Sequence, residues 1–186
     1  MVFKLFWIIR GLLYKPFFGS FGLPSYIGKP VFIGNFKKIF IAKRVRIFPG
    51  IRMECIGQNS KIIIKENVSI GHNLHLTAGC ILEIGANSTI SANVLITDIS
   101  HEYQEIDKHI MEQSLIIRKT LIGENCFIGY GAVLDAGTIL GKQCIVGSNA
   151  VLKGEYADYS VIAGIPAKVI KHYNHETKVW EKVNEK

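Results

Sequence analysis

Six histidines, His72, His75, His101, His109, His172 and His175, are the side chains of this sequence best able to exchange a proton near neutral pH. His101 has a carboxylate close by in sequence on either side, Asp98 before it and Glu102 after it. Either could accept one ring N–H, fix the tautomer and leave the other nitrogen free as a general base, and either could equally be a loop charge. The four cysteines, Cys55, Cys80, Cys126 and Cys144, form no C-x-x-C pair, so neither zinc nor dithiol chemistry has its usual spacing. The net charge of +7 suits phosphorylated ligands or an anionic surface. Without an accompanying aromatic and basic motif it does not point to nucleic acid, and no nucleic-acid partner is expected.

A repeat must position these groups. Ile122, Ile128, Leu134, Leu140, Val146 and Leu152 recur at a strict interval of six, a period that fits neither a helix nor a flat amphipathic strand. Asn125, Gly131, Gly137, Gln143 and Asn149 hold a second slot, mostly with residue types that tolerate the left-handed backbone of a sharp corner. Cys126, Ala132, Thr138, Cys144 and Ala150 fill a third with side chains small enough to face an interior. Each hexad therefore reads as one short strand and one corner. The same register runs through Ile33, Ile39, Val45 and Ile51, then Ile64, Ile70, Leu76 and Leu82, then Ile84, Ile90 and Ile96. All four cysteines fall in the small interior slot, which accounts for them as core residues in a reducing compartment.

The pattern fails between Ile96 and Ile116, so residues 97–115 are expected to leave the coil as a loop with His101 at its root. The domain organisation expected is an apolar segment over 1–24, a coil over 25–165 carrying that loop, and an extension over 166–186 that ends as an extended segment with a short helix or a frayed end. Residues 1–23 are intensely apolar but interrupted by Lys4, Arg10, Lys15 and Pro16. The apolar runs are too short to span a bilayer, and no cleavage site for a signal peptide is evident. Two readings stay open for this segment: a helix packed across the coil or against a neighbouring subunit, or an interfacial helix in peripheral membrane contact. The expected location is cytoplasmic, with the inner face of the cytoplasmic membrane as the possible contact.

The stretch IGENCFIGYGAVLDAGTILGKQCIVGSNAVLKGEYADYSVIAGIPAKVI, with the loop opening TDISHEY, resembles the hexapeptide-repeat acyltransferases. The likeness is greatest to the bacterial sugar O-acetyltransferases, those for galactosides, maltose, colanic acid and O-antigen, and it extends over roughly residues 60–171. It implies an all-β solenoid, a left-handed parallel β-helix, assembled as a homotrimer with acetyl-CoA in a groove between subunits and no metal. It also implies direct acetyl transfer to a sugar or glycan hydroxyl in cell-surface polysaccharide biosynthesis.

By the same resemblance His101 is the catalytic base. Asn73, His75 and Phe127 are candidates for the acceptor side. The pantetheine arm would lie along Gly129, Tyr130, Gly147, Ser148, Ala163 and Gly164, with Lys168 near the CoA phosphates. An amino-sugar N-acetyltransferase is the nearest alternative, because the same base would serve an amine. A non-catalytic scaffold and a γ-type carbonic anhydrase, for which His72, His75 and His101 would be the tempting ligands, are alternatives of other classes.

Overall fold

The computed structural model describes residues 2–183, with side chains from residue 4 onward. Met1 and residues 184–186, the outermost parts of the two expected terminal segments, lie outside the described residues. The chain coils through three parallel faces, A, B and C in the order it visits them, with seven, nine and six strands. The ninefold count of face B includes two antiparallel strands at its C-terminal edge.

Inward columns of branched side chains run down each face. Face A stacks Ile41, Ile64, Ile84, Ile122 and Leu140; face B stacks Ile27, Ile47, Ile70, Ile90, Ile128, Val146 and Ile162; face C stacks Ile33, Met53, Leu76, Ile96, Leu134 and Leu152. Nearly all are fully buried, and the burial of such a column is what holds a solenoid together. The corner slots behave as their residue types require: φ is 56° at Asn125, 68° at Gly131, 93° at Gly137, 53° at Gln143 and 57° at Asn149. Cys126, Ala132, Thr138, Cys144 and Ala150 are all buried beside those corners.

In the second turn the six-residue register is offset. The stacked residues are Ile41, Ile47 and Met53, and the expected Ile39, Val45 and Ile51 enter the interior from the neighbouring inward slot. Two inward columns share one period, so spacing alone does not distinguish them. The coil also starts ahead of residue 25, with Ser20–Phe21 paired to Phe40 and Ile41. Cys80 departs from the interior slot: it sits half-buried at a corner, while the other three cysteines are buried.

Among its described residues the C-terminal extension is two strands joined by a turn, with no helix. Ala167–Asn174 and Val179–Lys182 form a hairpin on the last strand of face B. Edge-to-face contacts of Tyr173 with Trp180 at 5.4 Å and of Tyr159 with His175 at 4.8 Å favour the hairpin over a frayed end. Residues 97–115 contribute to a second excursion. Ile99–His101 pairs antiparallel with Leu115–Ile117, so the expected loop is a β-hairpin with an irregular tip.

The N-terminal helix, Val2–Tyr14, packs beside the first turn. Trp7 meets Tyr26 and Phe48 at 5.8 and 5.3 Å, and Tyr14 meets Phe36 at 5.8 Å. Gly11 permits this approach, since a Cβ there would stand 3.0 Å from the ring of Phe21.

Candidate active site

The hairpin leaves the coil at the corner between faces C and A, and its root is held by one side chain. Asp98 is fully buried. Its Oδ1 accepts the Gly79 amide at 2.5 Å, and its Oδ2 accepts the Cys80 amide at 3.0 Å and the Cys80 thiol at 3.1 Å. Burial first, and then this carboxylate, push the Cys80 thiol up to about 11. Thr120 closes the other strand by donating to the Thr97 carbonyl at 2.8 Å. Gly79 leaves room for the hairpin: a Cβ there would lie 2.9 Å from Ile99 and 3.0 Å from Ile117. At the tip, the buried Gln113 donates to the carbonyls of Glu105 and Lys108 and accepts the Glu105 amide.

Between this hairpin and the outer surface of face C lies a cleft of about 330 Å³. His101 and His75 both line it, with Thr77 and Thr97 from the coil and Ile99, Met111 and Leu115 from the hairpin. The histidines are separated in sequence but adjacent in space, because His75 pairs in register with Leu95 on the strand that leads into the hairpin. The Nδ1 of His101 is buried and has no hydrogen-bond partner among the described residues. Neither flanking carboxylate supplies one: Asp98 is committed to Gly79 and Cys80, and Glu102 accepts from the Tyr103 amide at 3.1 Å.

Sequence reasoning missed Arg52 and Glu54, which precede His75 and Thr77 by one turn on the same face. Arg52 pairs with Glu54 and lies over the Phe32 ring at 5.2 Å. Burial, and then the Arg52 charge, lower the proton affinity of His75 against the opposing pull of Glu54. His75 should therefore titrate below its ordinary value of 6.5, seen by NMR of its ring protons. Arg52→Ala should move that midpoint upward; an unchanged midpoint would leave burial as the sole cause. The linkage has a definite sign. The folded protein binds this proton less readily than the unfolded chain, so stability falls as pH drops from 6.5 through the folded midpoint.

Asn73 and Phe127 lie outside the cleft lining. Asn73 occupies a corner between faces B and C with φ 58°, and its amide donates to Asn93 Oδ1 at 2.9 Å. Asn93 in turn donates to the Tyr130 hydroxyl at 2.5 Å, so Asn73 belongs to a ladder along that edge. Phe127 is on face B, half exposed and paired with Thr89 and Ile145. His72 meets Phe48 edge-to-face at 5.3 Å, apart from the cleft. Among the described residues, no three His, Cys, Asp or Glu side chains gather as a metal site would need.

The candidate cofactor residues do come together. Gly129 and Tyr130, Gly147 and Ser148, and Ala163 and Gly164 form successive steps at the edge where face B ends. Lys168 pairs with Ala163 on the strand alongside. The glycines are required by close stacking: a Cβ on Gly129 would meet the Ser148 amide at 2.6 Å, and one on Gly147 would meet the Ala163 Cβ at 3.1 Å. This glycine-lined edge and the His101 hairpin lie on opposite edges of face C.

Residues 119–154 match the bacterial transferase hexapeptide family (six repeats). The chain is 32% identical over 164 residues to the putative lipopolysaccharide biosynthesis O-acetyl transferase WbbJ of Escherichia coli K12, covering 82% of this chain and 81% of that protein. It is 32% identical over 107 residues to the probable acetyltransferase Rv3034c of Mycobacterium tuberculosis, covering 58% of this chain and 36% of that one. Among solved structures, AntD, an N-acyltransferase from Bacillus cereus, in complex with dTDP and 3-hydroxybutyryl-CoA, superposes with a TM-score of 0.76 over 90% of both chains at 19% identity. The polySia-specific acetyltransferase NeuO superposes with a TM-score of 0.63 over 87% of this chain and 73% of its own at 17% identity. With repeat, coil and sequence kinship in agreement, the chain belongs to the hexapeptide-repeat acyltransferases built on the left-handed parallel β-helix.

Proposed function

We propose that this enzyme transfers an acetyl group from acetyl-CoA to a sugar acceptor, with His101 as the general base. The observation that carries this reading is the presence of His101 in the cleft, on a hairpin fixed to the coil by a buried carboxylate. In the step itself, a ring nitrogen of His101 takes the proton of the acceptor as its heteroatom attacks the thioester carbon. The carbon–sulfur bond then breaks, and the departing CoA sulfur recovers that proton. No acetyl-enzyme is formed.

The edge where face B ends is the path proposed for the pantetheine arm, as the resemblance in sequence implies; Gly147 and Gly164 there are open to solvent in part or in full. Tyr130 and Ser148 flank that edge at exposed positions, and Lys168 contributes a cation beside it. With the hairpin and this edge on opposite sides of face C, a homotrimer that sets one subunit's hairpin against its neighbour's edge would complete the site.

The acceptor atom is an amine or a hydroxyl. The amine is supported by the likeness to AntD over nearly the whole chain, including a complex of a single-site mutant of that protein with dTDP-4-amino-4,6-dideoxyglucose and coenzyme A. The hydroxyl is supported by the sequence kinship to WbbJ. We place the amine first, ahead of the hydroxyl implied by the resemblance in sequence.

One experiment separates them. The protein is incubated with acetyl-CoA and matched amino- and hydroxy-sugar nucleotides, and products gaining one acetyl group are found by mass spectrometry. Alkaline hydroxylamine should leave an acetamide intact and remove an acetate ester. Absence of acetyl gain across sugar nucleotides, free sugars and glycans would overturn the proposal.

A further inference from the structure

The charge of this chain is concentrated at one end. Residues 1–53 contain ten basic side chains and no carboxylate, since Glu54 is the first acidic residue. The rest of the chain holds the other twelve basic and all fifteen acidic side chains, so a segment of +10 precedes a remainder of −3.

The N-terminal helix of this basic segment has an unusual orientation of its apolar residues. Its coil-facing stripe is narrow, formed by Trp7, Gly11 and Tyr14, while the face turned to solvent is also apolar. Leu5, Phe6 and Leu13 are 57%, 58% and 66% exposed, with Ile8, Ile9, Leu12 and the following Phe17 also open to solvent. Lys4 and Lys15, at opposite ends of the helix, are exposed. Between helix and coil lies an apolar depression of about 430 Å³, lined by Ile8, Leu12 and Leu23 and edged by Arg44 and Arg46. Arg46 donates to Asn67 Oδ1 at 3.0 Å, and Arg44 pairs with Glu66 at the surface.

We propose that the N-terminal helix and the basic first two turns of the coil form a docking surface for an anionic lipid bilayer, with the helix lying in the plane of the interface. The helix has 13 residues, about 20 Å of length, and no helix among the described residues is long and apolar enough to cross a membrane. An apolar face bordered by lysine and arginine is the arrangement that inserts to the depth of the acyl boundary while its cations meet headgroup phosphates. An isologous second copy is a poorer occupant, because pairing through this patch would set one basic turn against another, and a heterologous neighbour is distinguished by solution mass. The inference is independent of the chemistry at His101.

The test is flotation of the full chain with vesicles of phosphatidylcholine alone or with roughly one-third phosphatidylglycerol. The anionic vesicles should carry at least about tenfold more protein, less so as salt is raised. Ile9→Glu with Leu13→Glu should abolish flotation while leaving the melting temperature unchanged. Lys4→Glu with Lys15→Glu, which leaves every apolar contact in place, should reduce it severalfold. Equal binding to both vesicle types, or flotation that survives both double variants, would overturn the proposal. So would a fall in solution mass on Ile9→Glu with Leu13→Glu, which would identify the patch as a contact between subunits.

Discussion

His101→Ala is expected to leave the coil folded and to slow acetyl transfer by about a hundredfold to ten-thousandfold, the usual contribution of a positioned base. The fold should survive because this side chain belongs to the hairpin and the cleft, outside the inward columns of the coil. The rate is read as release of free CoA thiol with a saturating acceptor, and the fold by thermal melting. The lost step is proton removal during attack, so the decrease should appear in kcat rather than in KM for acetyl-CoA. A variant with undiminished turnover would remove His101 as the base and leave His75 as the other histidine in the cleft.

The second large effect concerns Asp98, which acts through the backbone it holds. Asp98→Ala would leave the partly buried amides of Gly79 and Cys80 without their acceptor, at a cost of up to about 1–3 kcal/mol each, so the loss in unfolding free energy should be at most about 2–6 kcal/mol. Asp98→Asn keeps one acceptor and should fall between. The Cys80 thiol gives a local readout that general destabilisation would not reproduce. Without the carboxylate that helps raise it to about 11, it should react faster with a maleimide than in the unaltered protein at the same pH, at temperatures well below melting. If Cys80 reactivity and stability were both unaltered, Asp98 would not be the clasp of the hairpin.

Periodicity made much of this architecture readable before any coordinates. Asn125, Gly131, Gly137, Gln143 and Asn149 all adopt the left-handed conformation that their residue types anticipated. The glycine-lined edge was named from the resemblance alone, and the pairing of Phe127 with Ile145 eighteen residues later is what sets Gly129 and Gly147 one above the other. The cleft was harder to read. Arg52, His75 and Leu95 share one row of face C but are separated by 23 and then 20 residues, so their adjacency depends on turn lengths that the hexad alone does not supply. The second-turn offset has the same root, since Ile39 and Ile41 both point inward and either satisfies the period. Asp98 and Cys80 show a further limit. Nearness in sequence suggested Asp98 as a carboxylate for His101, and the hexad register an interior slot for Cys80, but the bend at the hairpin root turns the two toward each other.

The turns differ in length without disturbing the faces. Along face A the partners are Phe21 and Ile41, Ile41 and Ile64, Ile64 and Ile84, Ile84 and Ile122, Ile122 and Leu140, and Leu140 and Tyr156, giving turns of 20, 23, 20, 38, 18 and 16 residues. The excursion bearing His101 is thus the largest of several insertions tolerated at corners. Closing a flexible segment costs only about (3/2)RT ln n, so expanding a corner from a few residues to about ten times as many adds about 2 kcal/mol of closure entropy. The columns above and below need not shift to accommodate it. Chemistry in this solenoid is therefore separable from its support, provided Asp98 and its hold on Gly79 and Cys80 are kept: grafting a different segment between Asp98 and Thr120 could change what the cleft recognises while the stacked faces continue to fold as before.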